Sequence, residues 1–234
     1  MTQRTFSFAH GEYYHVYNRG TDKRVIFKDS ADYQRFVELL LLSNSSYHIN
    51  IRDVRKFNDS IYDFDRGEPL VYIGVYCLMP NHFHILLTPA VEGGVQTFMQ
   101  KLCTGYSMYF NKRYQRTGAL FESRFKARHA NSDEYLKYLF SYIHLNPVKL
   151  IQPDWKERGI RDIERAKQYL HTYEFSSLKD YFGHRIENAI INPGKFPNYF
   201  MSKNQIDDEL LEWLSYHEYI EIEQKGDNPR SDLG

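Results

Sequence analysis

Residues 70–89 read LVYIGVYCLMPNHFHILLTP, two apolar runs separated by a Pro-Asn pair. Two such runs, joined by so tight a connection, predict an antiparallel β-hairpin. The second run is unusual because it carries His82 and His84 with only Phe83 between them. Since strand side chains alternate in direction, both imidazoles are expected on one face of the sheet and Phe83 on the other.

The sequence on either side of this hairpin alternates between strand and helix patterns. Hydrophobic periodicity and capping residues predict strands over 12–20, 70–79, 82–89 and 119–130, a short strand within 47–52, and helices over 29–44, 93–115 and 132–146. The main order is β-α-β-β-α-β-α, with no glycine-rich phosphate loop after the first strand. This order predicts an α+β fold, a ferredoxin-like antiparallel sheet with helices packed on one face.

Beyond residue 150 the pattern changes. Short helices are expected near 161–171 and 205–216, and the end of the chain is acidic. We therefore divide the chain into a domain over 10–150 and a mostly helical C-terminal extension over 151–234.

The charge of the chain is balanced overall but not locally. The 234 residues contain 30 Lys and Arg against 30 Asp and Glu, so the bulk charge does not indicate a nucleic-acid binder. Residues 101–150 contain nine basic and three acidic side chains, whereas residues 181–234 contain five and ten. A basic middle and an acidic end favour a polyanionic partner for the middle alone.

The cellular setting follows from three simple features. The N-terminus lacks the apolar core of a signal peptide, and no stretch approaches the roughly 18 apolar residues of a membrane span. The two cysteines, Cys77 and Cys103, form no paired framework, which favours a reducing compartment. We expect a cytoplasmic protein without a membrane partner.

The two histidines of the hairpin are candidate metal ligands. Neutral imidazoles at positions i and i+2 of a strand can both reach one divalent ion. The alternative is that His82 and His84 are two surface histidines of a half-exposed sheet. The H-x-H spacing alone does not decide between these interpretations.

A second candidate pair lies in the helix YLFSYIHLNP. Tyr142 and Asn146 are four residues apart and therefore share a face of that helix. The tyrosine hydroxyl could attack a phosphodiester, and the asparagine carbonyl oxygen could complete a two-histidine metal site. The alternative is that Tyr142 packs in the core and Asn146 ends the helix before Pro147.

Several ordered blocks resemble a known family. MPNHFHILL (79–87), FNKRYQRTGALFESRFKA (110–127) and YLKYLFSYIHLNPVK (135–149) are similar to the three signature blocks of the single-tyrosine HUH transposases. YHVYNRG (14–20) and FSSLKDYFG (175–183) resemble further blocks of the REP-associated tyrosine transposases, a domesticated bacterial branch. The resemblance covers roughly residues 10–185.

The resemblance implies specific roles for the candidate residues. His82 and His84 take the place of the metal ligands, with Mg²⁺ or Mn²⁺ as the ion. Tyr142 takes the place of the nucleophile. Asn146 takes the place of a polar third ligand that is Gln in some relatives, and its side chain is one methylene shorter. His144 stands where relatives often carry an acid, and no role is assigned to it.

The function implied by the resemblance is DNA transposition. Single-stranded DNA at hairpin, palindromic-repeat sites would be cleaved through a 5′-phosphotyrosine intermediate and then transferred, which implies association with the nucleoid. The oligomeric state stays open, because mobile relatives work as dimers whereas resemblance to the REP-associated branch points to a monomer. The candidate DNA-binding residues are Asn18, Arg19, Arg113, Arg116, Arg124, Lys126 and Arg128.

Two rival functions share the same fold. One is a non-catalytic regulator that binds hairpin DNA or RNA, since fold does not fix function. It would be favoured by a Tyr142 buried away from His82 and His84. The other is an HUH replication initiator or relaxase, and those usually carry helicase or long accessory domains for which 234 residues leave no room.

Overall fold

The predicted hairpin forms one side of a four-stranded sheet. In the computed structural model, which describes residues 6–58, 60–181 and 190–197, the strands are β1 (Tyr14–Arg19), β2 (Val71–Met79), β3 (His82–Pro89) and β4 (Lys126–His129). Their order across the sheet is β2-β3-β1-β4, and every neighbouring pair is antiparallel. The predicted α+β class with an antiparallel sheet is therefore confirmed.

The helices begin where the sequence supplies capping side chains. The Asp29 carboxylate accepts a hydrogen bond from the Asp32 amide at the start of α1, and Ser132 caps α4 through the Tyr135 amide. The helices are α1 (Ser30–Leu42), α2 (Ile51–Phe57), α3 (Gly94–Arg113), α4 (Asp133–Leu145), α5 (Trp155–Arg158), α6 (Ile163–Thr172) and α7 (Leu178–Tyr181). Within the described ranges, no helix combines the length and the apolar character of a membrane span.

The helices cover both faces of the sheet, which corrects the expectation of a single helical face. Helices α1 and α3 pack on the face that carries Phe83 and Ile85, as expected for the two crossovers of a ferredoxin-like sheet. Helix α4 packs on the opposite face, against Val75, Cys77 and Leu86. These alternate side chains of β2 and β3 are apolar as well, so the second face also needs a cover.

Two predicted strands differ from the structure, and one predicted helix lies outside the described residues. The segment 47–52 does not form a strand, because the Asn50 side chain caps a helix at residue 51. The predicted strand over 119–130 is reduced to β4, and only Phe121 before it forms an isolated bridge, with Gly20. The helix predicted over 205–216 lies outside the described residues. The division of the chain at residue 150 stays a prediction.

The outer edge of β2 is covered by two pieces of the C-terminal extension, 173–178 and 190–192, which we call the edge segment. The Leu78 amide donates to the Phe175 carbonyl and the Ser177 amide donates to the Tyr76 carbonyl. Further along the strand, the Asn192 amide donates to the Ile73 carbonyl. The edge segment thus satisfies backbone groups that would otherwise form an open sheet edge.

A buried asparagine joins α1 to the start of β2. The Asn44 side chain donates to the Val71 carbonyl (2.8 Å) and accepts from the amides of Leu70 (2.8 Å) and Val71 (2.9 Å). Asn44 is fully buried. We expect Asn44→Ala to lower the free energy of unfolding by about 3 kcal/mol, because three buried backbone groups lose their partner. Urea denaturation followed by circular dichroism measures the change.

The control for this prediction is Asn50→Ala, which removes an exposed helix cap. It is expected to cost about 1 kcal/mol or less. Equal losses for the two variants would contradict the importance given to the buried hydrogen bonds of Asn44.

Candidate active site

Strand register brings a third histidine onto the face that carries His82 and His84. In the β1–β3 ladder, Tyr17 lies opposite His84 and Arg19 lies opposite His82. Because alternate residues share a face, His15 points to the same side as Tyr17 and Arg19. We call this side of the sheet, which α4 covers, the histidine face.

His15 and His84 are hydrogen-bonded to each other. Their Nε2 and Nδ1 atoms are 2.8 Å apart, and both side chains are buried. One of these two nitrogens therefore carries the proton. Sequence reasoning assigned no role to His15, although it belongs to the YHVYNRG block. The missing information was the register, which sets His15 diagonally from His84 and which the sequence does not state.

The tautomer of His82 follows from its partner. His82 Nδ1 lies 2.6 Å from Asn81 Oδ1, while Asn81 Nδ2 donates to the Lys23 carbonyl. An amide oxygen can only accept, so His82 Nδ1 is the donor. In the neutral ring, Nε2 then carries the lone pair.

Both histidines of the H-x-H motif are neutral at physiological pH. Burial lowers the pKa of His82 to about 3, and the positive charges of Lys149, Lys156 and Arg19 add to the effect. Burial also holds the pKa of His84 well below its usual value, with smaller contributions from His82, His15 and the ammonium of Lys156. Neutral imidazole is the form that donates to a metal ion.

Helix α4 places Tyr142 on the histidine face. The Tyr142 ring centroid lies 5.8 Å from that of His84 and 6.1 Å from that of His15, with edge-on geometry in both pairs. The side chain is only 7% exposed. The ammonium of Lys156 donates to the Tyr142 hydroxyl at 2.8 Å and lies 4.2 Å from the ring centroid. Sequence reasoning missed Lys156, because no pattern in PDWKERG relates it to α4.

Asn146 caps the helix that carries Tyr142. Its Nδ2 donates to the backbone carbonyl of Tyr142 at 2.8 Å, and the side chain is buried. Asn146 and Tyr142 are thus one helical turn apart, as predicted, and their contact is with the backbone of Tyr142. His144, to which no role was assigned, is buried on the same helix and hydrogen-bonded to Ser177.

Three of the candidate DNA-binding residues lie on the histidine face. Arg128 is opposite His15 and Lys126 is opposite Tyr17 in the β1–β4 ladder, so both share the direction of Arg19. Arg19 is paired with Glu122. Asn18 points to the other face, where its Nδ2 donates to the Ser123 carbonyl.

The other three candidates are not part of this cluster. Arg113 lies on α3 and forms ion pairs with Asp29 and the buried Asp32, both at 2.7 Å. Arg116 follows α3 and donates to Asn111. Arg124 is exposed in the segment before β4.

The described part of the chain contains no group of three or more His, Cys, Asp or Glu side chains that could hold a metal ion. What the histidine face offers is two neutral imidazoles, a tyrosine hydroxyl held by a lysine, and a basic border. Such a set can bind a cation through nitrogen, present an oxygen nucleophile and attract a polyanion.

One protein family matches part of the chain. The family model described as "Transposase IS200 like" matches residues 65–146, which include the hairpin, α3 and α4. Over these residues, the match agrees with the family resemblance indicated by the blocks at 79–87, 110–127 and 135–146. No curated protein matches the chain.

One similar solved structure is described as "Structure of the REP associates tyrosine transposase bound to a REP hairpin". It is 12% identical, with a TM-score of 0.46, and the similarity covers 84% of this chain and 89% of that chain.

Proposed function

On the premise that residues 65–146 form an IS200-like transposase segment, we propose that this protein cleaves and rejoins single-stranded DNA through a covalent bond to Tyr142. The observation that carries the proposal is the packing of the Tyr142 ring against His84, with centroids 5.8 Å apart within one chain. A hydroxyl nucleophile beside neutral imidazoles supplies the components of metal-assisted phosphodiester cleavage. The corresponding process is DNA transposition.

The donors on the histidine face fit a divalent cation, Mg²⁺ or Mn²⁺. His82 keeps its Nε2 lone pair available, because its Nδ1 proton is held by Asn81. His84 does the same when its Nδ1 donates to His15. These two histidines would hold the ion, and we propose Asn146 Oδ1 as the third protein ligand. When bound, the ion polarises the scissile phosphate and neutralises the charge that develops on it.

The chain supplies the nucleophile for the proposed reaction. Tyr142 Oη forms a bond to phosphorus while the bond between phosphorus and the 3′ oxygen breaks. The phenol proton passes to water and the departing 3′ oxygen takes up a proton, which gives a 5′-phosphotyrosine and a 3′-hydroxyl. Attack by a 3′-hydroxyl on this linkage restores the free tyrosine, so strand transfer needs no external energy source.

The proposed substrate is single-stranded DNA that carries a hairpin. Arg19, Lys126 and Arg128 border the histidine face and would contact the backbone phosphates. Exposed Arg124 extends this border along the chain. Arg113 and Arg116 stay candidates for contacts outside the cluster, and Asn18 is proposed to shape the 123–126 segment through its bond to Ser123.

The His15–His84 hydrogen bond gives a prediction about metal affinity. We expect His15→Leu to weaken Mn²⁺ binding by roughly 10- to 100-fold, because His84 loses the partner that fixes its tautomer and ring orientation. His15→Gln, which retains a hydrogen-bonding group, is expected to lose less. Isothermal titration calorimetry with Mn²⁺ measures both. The control is His129→Leu, on the opposite face of the sheet, and equal affinities in His15→Leu and the wild type would refute the assigned role.

The test of the proposed function is a cleavage assay on single-stranded oligonucleotides. Oligonucleotides carrying the palindromes that flank the gene are incubated with the protein and Mg²⁺ or Mn²⁺, then resolved on denaturing gels. A metal-dependent, covalent protein–DNA adduct is the expected product. Tight hairpin binding without any adduct would instead support the non-catalytic regulator that binds hairpin DNA or RNA.

A further inference from the structure

The segment after α4 returns to the histidine face and is anchored there by one buried aromatic residue. Trp155, the first residue of α5, is 3% exposed and packs with Val148, Leu170 and Leu178. Lys156 follows directly and is half-buried. The anchor therefore fixes the backbone from which the Lys156 side chain reaches Tyr142.

The hydrogen bond between Lys156 and Tyr142 has a defined donor and acceptor. The Lys156 ammonium has donors only, so the Tyr142 oxygen accepts through a lone pair and the phenol proton is left outside this bond. The same ammonium lies 4.2 Å from the ring centroid, a cation–π contact that adds to the hold on the ring. A fixed positive charge next to the oxygen stabilises negative charge there as attack begins.

We propose, on the basis of the proposed function, that Lys156 is a positioning residue of the nucleophile. It holds the Tyr142 hydroxyl beside the histidines of the same chain, so that the C-terminal extension completes the active site. The lysine keeps its proton throughout and exchanges none with the substrate. This assigns a role to a part of the chain that the family match, which ends at residue 146, does not include.

The test separates the rate of attack from DNA affinity. Lys156→Met keeps the length of the side chain and removes its charge, and Lys156→Arg restores the charge. At saturating hairpin oligonucleotide, we expect the single-turnover rate of adduct formation to fall about 100-fold in Lys156→Met. The Kd for the oligonucleotide and the Kd for Mn²⁺ are expected to change less than about threefold, and Lys156→Arg to recover at least a tenth of the wild-type rate.

Lys149→Met is the matched control, because Lys149 is exposed and its charge also reaches His82. It is expected to leave the saturated rate within about threefold of the wild type. An unchanged rate in Lys156→Met overturns the proposal, and so does a loss of affinity that accounts for the whole loss of rate. An Arg variant as slow as the Met variant overturns it as well. A wild-type protein that forms no adduct refutes the proposed function itself, and the role of Lys156 with it.

Discussion

Tyr142→Phe is expected to abolish the covalent DNA adduct and to leave hairpin binding unchanged. The substitution removes the hydroxyl oxygen that we propose as the nucleophile, while the ring keeps its contacts with His15, His84 and Tyr138. The loss of the Lys156 hydrogen bond costs about 1 kcal/mol of stability. Denaturing gels measure the adduct, and fluorescence anisotropy with a labelled hairpin measures binding.

Tyr138→Phe is the matched control for this experiment. Tyr138 lies one turn earlier on α4, is buried, and stacks on Tyr142 with centroids 5.6 Å apart. Its phenol-to-phenyl change has the same size and the same helix context. We expect adduct formation to persist in this variant. Adduct formation by Tyr142→Phe would show that another group is the nucleophile and would remove the basis of the proposed mechanism.

His84→Ala is expected to weaken Mn²⁺ binding by more than roughly 100-fold and to abolish adduct formation. The expected loss exceeds that for His15→Leu, because His84 is a proposed metal ligand whereas His15 is proposed only to support it. His82→Ala is expected to behave in the same way. Calorimetry measures Mn²⁺ binding without reference to activity, and the gel assay measures the adduct over a range of Mn²⁺ concentrations.

His129→Ala is the control for the histidine variants. His129 lies on β4, where it is stacked on Tyr14 on the other face of the sheet and paired with Glu12. We expect its Mn²⁺ affinity and its adduct yield to match the wild type. Wild-type Mn²⁺ affinity in both His82→Ala and His84→Ala would mean that Mn²⁺ binds elsewhere.

The sequence predicted most of the sheet because local patterns were strong there. The two runs of the hairpin are largely apolar and are separated by Pro80–Asn81, so both strands and their turn were predicted within one residue. The prediction of a short strand over 47–52 was wrong, because the Asn50 side chain caps a helix that begins at residue 51 of this polar stretch. Strands β2 and β3 carry apolar side chains on both faces of the sheet. Their sequence pattern therefore does not indicate which face α4 covers.

The candidate site was partly predictable for a similar reason. His82, His84 and Tyr142 stand in motifs, and the structure brings His84 and Tyr142 into ring contact. His15 and Lys156 required the pairing register and the path of the extension, and both are long-range properties. Arg113 was predicted to bind DNA because of its charge, whereas in the structure it forms ion pairs with Asp29 and Asp32.

The edge segment has a consequence for synthesis on the ribosome. Strand β2 ends at Met79, whereas the residues that cover its outer edge begin to be made only after about a hundred further residues. At roughly 5–20 residues per second, the nascent sheet waits on the order of 5–20 seconds with that edge open. An apolar open strand is a template for pairing with other chains. Newly made chains therefore pass through an interval of aggregation risk that ends only when the extension has emerged.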